Sequence, residues 1–295
     1  MCAAVRPSDP SEGFAGHSRA PELISSRRNP LVGRFRALHQ PRGRREQGLL
    51  LLEGTHLLEE ALRLGLSPDQ VLASPSWIER HHALLTAHPR MAALLQPVAE
   101  PVLEAVATTA HPDGVVLTLP WPQPPADQGL GGESLGLVLA LDRLQDPGNL
   151  GTLMRTALAA GVRELWLGEG ADPFQPKVLR ASAGAALALP CRRLEQLLPR
   201  LESARAGGAQ VVASVVAGGR PYWQLDWTRP TVLLLGNEGA GLAPELLAAS
   251  SHQVTIPHSG AVESLNVAVA AAPLLLERWR QLTGENAGHQ PQQPR

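Results

Sequence analysis

Cysteine is nearly absent: Cys2 and Cys191 are the only two in 295 residues. Two so far apart exclude a disulfide framework and a thiolate metal site, and they fit a reducing compartment such as the cytoplasm. Histidine supplies no metal site either, because His81 and His82 are adjacent and no ligand partners stand at metal spacing. No stretch reaches the ~18 consecutive apolar residues that a membrane-spanning helix needs. The first twenty residues contain Asp9, Glu12, prolines and glycines but no apolar h-region, which argues against a secretory signal. Nucleotide fingerprints are missing too. The first strand of the second half runs into Asp142-Arg-Leu-Gln-Asp-Pro-Gly148 without G-x-G-x-x-G, and no P-loop occurs. Neither a metal nor a membrane partner is expected, and there is no internal repeat.

What is present is an ordinary apolar content of 44%, with 18% charged residues, enough for a substantial core. The length suits two modest domains. A net charge of −1 conceals a local imbalance: between Leu23 and Arg45 stand Arg27, Arg28, Arg34, Arg36, Arg42, Arg44 and Arg45, with no acidic residue. Arginine donates two parallel hydrogen bonds to one phosphate. The cluster reads either as a solvated basic face or as a phosphate-backbone contact. On the second reading, Arg27, Arg28, Arg34, Arg42, Arg44 and Arg45 are the candidate nucleic-acid contacts.

Hydrophobic periodicity divides the chain. Residues 1–22 read as a disordered leader, 23–119 as a small α/β domain, 120–133 as a Pro/Gly linker, 134–283 as a second α/β domain and 284–295 as a disordered tail. In the first domain we expect a helix over 29–38, a loop at Pro41 and Gly43, and a strand over 49–52. A helix capped by Thr55 and closed by Gly65 should follow, then a strand at 71–73 and a helix over 77–87. A strand and short helix over 98–109 and a strand over 115–119 complete it. The second domain alternates strands at 135–141, 164–167, 210–216, 231–235 and 254–256 with helices at 150–160, 177–185, 194–206, 244–249 and from 266 onward. That alternation predicts a mostly parallel sheet.

Three stretches carry candidate chemistry. In the first, Asn149 can cap a helix whose buried stripe is Leu150, Leu153, Met154, Ala157 and Leu158. Arg155 lies off that stripe among small residues, without the acidic neighbours of an exposed helix, so it reads either as a surface arginine or as a cation awaiting a close partner. In the second, the apolar run 231–235 breaks at Gly236, and Glu238 follows between glycines, facing water or pairing with a cation such as Arg155. In the third, the strand ending at Ile256 opens through Pro257 and Gly260 into Glu263-Ser-Leu-Asn266. There Ser264 and Asn266 could be helix caps or site residues. Two adjacent strand ends that open into glycine-bearing loops are where open α/β sheets bind ligands.

The wording of these stretches is also familiar. Asn149-Leu-Gly151-Thr-Leu-Met-Arg155 as N-x-G-x-x-x-R, then GNEGAGL from Gly236, then IP-x-x-G-x-x-ESLNV-x-VA from Ile256, resemble in order the motifs of the SpoU (TrmH-like) family of RNA ribose 2′-O-methyltransferases. The likeness covers about residues 134–282. The segments EGTHLLEEALRLG and PDGVVLTL look like that family's small RNA-substrate domain. The resemblance implies an S-adenosylmethionine cofactor, a C-terminal trefoil knot and a homodimer. It places the backbone at Gly236, Ile256 and Leu265 around the cofactor, and Asn149, Arg155, Glu238, Ser264 and Asn266 at the catalytic centre. A guanidinium keeps its proton at neutral pH and is no simple base. Arg155 would therefore bind the adjacent phosphate and stabilise alkoxide charge, with Asn149 and Glu238 orienting it. Ser264 and Asn266 would orient the hydroxyl and the methyl end of the cofactor. The expected substrate is ribosomal RNA. The alternatives are transfer RNA, methylation of a base nitrogen, and a non-catalytic RNA-binding protein of the same fold. Beyond the last motif, Pro273 is expected to interrupt the last helix.

Overall fold

A computed structural model describes residues 21–123, 125–126 and 135–284. Most of the expected leader and linker, and residues 285–295 of the expected tail, lie outside these. The N-terminal part begins with α1 (Pro30–Ala37) and α2 (Pro41–Gln47), then β1 (Leu49–Glu53), α3 (Thr55–Arg63) and β2 (Gln70–Ala73). Next come α4 (Pro75–Arg80), α5 (His82–Ala87), α6 (Pro89–Ala92), β3 (Leu95–Pro97), α7 (Glu100–Val106) and β4 (Val115–Pro120). Its four strands form one sheet in the order β1-β4-β2-β3. Alternation places the side chains: Leu50 and Leu52 pack with α3 and Trp77 on one face, and Leu51 packs with α1 and α7 on the other.

Where the sequence suggested a loop at Pro41, the chain forms α2. Pro41 sits at its first turn, where no N–H is needed, and a Cβ on Gly43 would lie 2.0 Å from the Ala37 carbonyl oxygen. Thr55 does not cap α3. Gly54 takes that position at φ 98°, and the Thr55 N–H and hydroxyl both donate to Asp113. The helix expected over 77–87 breaks at His81 into α4 and α5.

The second part contains β5 (Leu137–Leu141), α8 (Pro147–Ala159), β6 (Glu164–Leu167), α9 (Pro176–Ala181), α10 (Ala185–Ala188) and β7 (Cys191–Arg193). It continues with α11 (Leu198–Ala206), β8 (Gln210–Ser214), β9 (Arg220–Pro221), β10 (Thr231–Leu235), α12 (Pro244–Ala249), β11 (His252–Thr255) and α13 (Val267–Gly284). Seven strands run parallel in the order β7-β6-β5-β10-β8-β11-β9, as the alternation predicted. The central strands β5 and β10 are buried at every residue, which explains their unbroken apolar runs. Strands β7 and β9, three and two residues long at the edges, escaped the sequence reading. The helix expected over 177–185 ends at Ala181, because Ala183 and Gly184 both turn left-handed, at φ 48° and 86°.

Helix α8 is the pivot of this part. Asp146, not Asn149, caps it by accepting from the Asn149 N–H at 2.7 Å. Leu150, Leu153, Met154 and Ala157 are buried as the stripe predicted, whereas Leu158 is 38% exposed. Gly151 faces α9, and a Cβ there would stand 2.5 Å from the Ala181 Cβ and 2.8 Å from the Ser182 nitrogen. Against the other side of α8 lies α13, which runs unbroken through Pro273. The carbonyl that Pro273 deprives of a donor belongs to Val269, an exposed residue where water can serve instead.

The two sheets share one of the three apolar clusters among the described residues. One cluster of buried side chains runs from Leu52 and Leu57 in the first part to Leu150, Leu179 and Leu233 in the second. Even the first expected linker residue after β4 is part of the body: the Trp121 N–H donates to the Gly48 carbonyl, and its ring meets Phe174 edge-on at 5.3 Å.

The α8–α9 contact yields a first prediction. Gly151→Ala should lower the unfolding free energy by ~1–3 kcal/mol through overpacking, despite alanine's better helix propensity. Urea unfolding measures it; an unchanged or raised midpoint would contradict so close a crossing.

Candidate active site

The cleft lies at the carboxyl ends of β10, β8 and β11, and its volume is about 390 Å³, within the range of small-molecule sites. Two loops build it. After β10 the chain turns sharply: Asn237 and Gly241 exchange two backbone hydrogen bonds of 3.0 Å, and the Asn237 side-chain oxygen accepts from the Gly239 and Ala240 N–H groups. This turn needs Gly236, because a Cβ there would lie 2.3 Å from the Gly241 carbonyl carbon. After β11, residues 256–266 form the opposite wall and lead to α13.

Glu238 organises the polar side. One carboxylate oxygen accepts from the Asp146 N–H and the Asn149 amide, both at 3.2 Å; the other accepts from the Gln145 N–H at 3.3 Å. Because a carboxylate only accepts, it fixes the Asn149 amide with its NH₂ toward Glu238 and its oxygen outward. That oxygen accepts from the Asn266 amide at 2.9 Å, and the Asn266 oxygen in turn caps α13 by accepting from the Ala268 and Val269 N–H groups. One relay of fixed polarity thus ties the β10 loop, the start of α8 and the start of α13 together. Burial acts to raise the Glu238 pKa, but hydrogen bonds from its own main chain, Asn149, Asp146 and Gln145 outweigh it and hold the carboxyl below the usual range.

Of the residues singled out from sequence, Asn149, Gly236, Glu238, Ile256, Ser264, Leu265 and Asn266 all line this cleft. Arg155 does not. It lies six residues beyond Asn149 on α8, ~9 Å along the axis and on another face. There it is exposed and borders a notch with Glu60, Arg63 and Gly184. The pairing of Glu238 with Arg155 is therefore replaced by the pairing with Asn149. Sequence reasoning missed Asn237 and Asp146, whose signals were an Asn two residues before a glycine and a D-P-G helix start.

Among the candidate RNA contacts, Arg28, Arg34 and Arg45 are exposed. Arg27 pairs with Glu104 at 3.4 Å and Arg42 with Glu46 at 2.6 Å, both at the surface. Arg44 is a correction. It is fully buried, donates to the Leu38 and His39 carbonyls and pairs with Asp172 at 2.6 Å, so it is a structural cation and does not face solvent. Among the described residues there is no cluster able to hold a metal ion, and no helix is long and apolar enough to cross a membrane.

A parallel α/β sheet with a cleft at its strand ends, joined to a smaller mixed sheet, defines a two-part ligand-binding architecture. Comparison with known proteins gives the family. The SpoU rRNA Methylase family matches residues 136–276, and an MRM3-like substrate binding domain matches residues 29–117. The chain is 44% identical to an uncharacterized tRNA/rRNA methyltransferase of Synechocystis, over 88% of this chain and 93% of that one. It is 33% identical to the 23S rRNA (guanosine(2553)-2′-O)-methyltransferase RlmP of Bacillus subtilis, covering 85% of this chain and 97% of that one. Among solved structures it resembles an AdoMet-bound rRNA methyltransferase from Sinorhizobium meliloti, with a TM-score of 0.75, 35% identity and coverage of 88% and 98%. It also resembles the SpoU methyltransferase AviRb from Streptomyces viridochromogenes with AdoMet, with a TM-score of 0.74, 27% identity and coverage of 87% and 100%. The chain belongs to the SpoU family of RNA methyltransferases.

The depressed Glu238 pKa predicts a pH signature. A carboxyl whose folded pKa is lowered adds stability that is complete above its ordinary value of 4.5 and is lost as pH falls through the folded value. The stability advantage of the wild type over Glu238→Gln should therefore be constant from about pH 8 to about pH 5 and shrink below about pH 4.5. Paired urea unfolding at each pH removes the effect of the other carboxylates; a difference that grows on acidification would refute this.

Proposed function

We propose that the protein transfers a methyl group from S-adenosylmethionine to a ribose 2′-hydroxyl of ribosomal RNA. The observation that carries this is the cleft itself, where all three sequence motifs contribute walls and the Glu238–Asn149–Asn266 relay joins them. The residues present fit the cofactor. Leu235, Ile256, Leu265 and Val267 offer an apolar wall for an adenine, Gly236 lets the backbone approach closely, and the ionised Glu238 favours a cationic ligand. When bound, S-adenosylmethionine supplies an electrophilic methyl on a sulfonium.

The chain's own groups do the positioning. Asn149 and Asn266 are held in one amide orientation, and Ser264 stands exposed on the same wall to hydrogen-bond a ribose hydroxyl. Arg28, Arg34 and Arg45 offer phosphate contacts on the N-terminal part, whose family likeness to a substrate-binding domain supports RNA as the partner. Homologues named as 23S rRNA 2′-O-methyltransferases favour ribosomal over transfer RNA. Such a substrate would place the protein in the cytoplasm. The trefoil path belongs to the same reading, supported by the 256–266 segment returning beside the 236–241 turn in one cleft.

A homodimer completes this reading. Arg155 is exposed and away from the cleft of its own chain, so any part in the reaction requires a second copy to bring it there. An apolar stripe on α13, Val269, Leu276 and Trp279, is exposed by 61%, 45% and 54% and offers that copy a docking face.

Two experiments test the proposal. Labelled methyl transfer to unmodified ribosomal RNA should leave label in alkali-resistant dinucleotides, and Asn149→Ala should reduce the rate by about 10²-fold. Label in alkali-sensitive nucleotides would point to base methylation instead. Mixing inactive Asn149→Ala with inactive Arg155→Ala should restore about a quarter of wild-type activity if each site draws on both copies. No recovery in a mixed dimer would overturn the shared site, and an Arg155→Ala variant that is fully active alone would place Arg155 outside the reaction.

A further inference from the structure

One stretch of the second part, residues 172–184, makes the polar contacts that bind the two parts together. Asp172 accepts from Arg44, whose side chain is 1% exposed and whose other partners are neutral carbonyls of its own part. Arg180 pairs with Glu53, 3% exposed, which also accepts from the backbone and hydroxyl groups of Thr108 and Thr109. Burial tends to raise the Glu53 pKa, but these hydrogen bonds and Arg180 keep the carboxyl below its ordinary range. Each pair takes one member from each part, with opposite polarity: cation to anion at Asp172, anion to cation at Arg180. The same stretch closes on α3, where a Cβ on Gly184 would lie 2.9 Å from the Glu60 Cβ. Between the two ion pairs, α9 packs on β1 and, through Ala181, against Gly151 of α8. Helix α8 carries Asn149 into the cleft. The arginine-bearing part and the cleft are thus fixed to the two sides of one short helix.

We propose that residues 172–184 are a positioning strap, and that Asp172 and Arg180 hold the N-terminal part in one orientation so that RNA is received across a single preformed surface. Beside the apolar cluster that the two parts share, removing Asp172 or Arg180 leaves Arg44 or Glu53 buried without its partner, which is strongly unfavourable and favours opening the seam to water. RNA contacts on the first part then stand at a fixed distance from the cleft, and binding needs no domain closure. This rests on the proposed function for the identity of the ligand, but the lock itself can be tested without it.

The test uses the full chain and three variants: Asp172→Asn, Asp172→Glu and the milder Arg180→Gln. Small-angle scattering reads the arrangement of the two parts, calorimetry reads S-adenosylmethionine affinity, and filter binding reads affinity for unmodified ribosomal RNA. Asp172→Asn and Arg180→Gln should each enlarge the scattering envelope and weaken RNA binding by about tenfold while cofactor affinity stays unchanged; Asp172→Glu should retain RNA binding. Thermal melting identifies a variant that merely fails to fold, in which case Arg180→Gln decides. An enlarged envelope with unaltered RNA affinity would overturn the positioning role, and a compact envelope in both disruptive variants would overturn the lock. Failure of the enzymatic reading would show separately, as a wild type that binds no cofactor.

Discussion

The closeness of two helices governs much of this molecule. Because Gly151 has no side chain, α9 can rest directly on α8, and both helices then serve more than one neighbour. Helix α8 lies between α9 and α13 and presents Asn149 at its first turn; α9 lies between α8 and β1 and presents Arg180 to the other part. Dense packing transmits position well, since interiors resist even small volume changes. A glycine that looks like a motif letter in the sequence is, in the fold, the absence of an obstacle.

The cleft depends on a different constraint, the one-sided chemistry of a carboxylate. Glu238 can only accept, so Asn149 must point its nitrogen inward and its oxygen outward, and Asn266 must do the same in turn. Three side chains from three distant segments thereby acquire a single orientation without any of them being deeply buried. Asn237 contributes by folding the turn after β10, so that Glu238 emerges at the right point of the strand end.

Much of this was legible in the sequence. Buried central strands wrote themselves as TVLLL and LVLAL, and the cleft residues were marked by strand ends that open into glycine-bearing loops. What stayed hidden was short or tertiary. Strands β7 and β9 are too short to show a period, and α2 is written PRGRREQ, with no apolar stripe to announce it. Arg44 appeared identical to its solvent-facing neighbours, because its anion is 128 residues away in the chain. The location of Arg155 was likewise invisible, since periodicity said which residues α8 buries but not which neighbour its remaining faces meet.

The relay also sets an order in time. Asn149 and Asn266 are 117 residues apart, and β5 finds its neighbour β10 only after four other strands have been laid down. A chain emerging residue by residue from the ribosome can pair the strands of the N-terminal sheet early, because all four of those strands precede residue 121. The cleft has no such partial form. Until α13 is made, Asn149 lacks the amide that completes its wall. A nascent chain of this protein therefore has no finished ligand site until Asn266 and the start of α13 have been made.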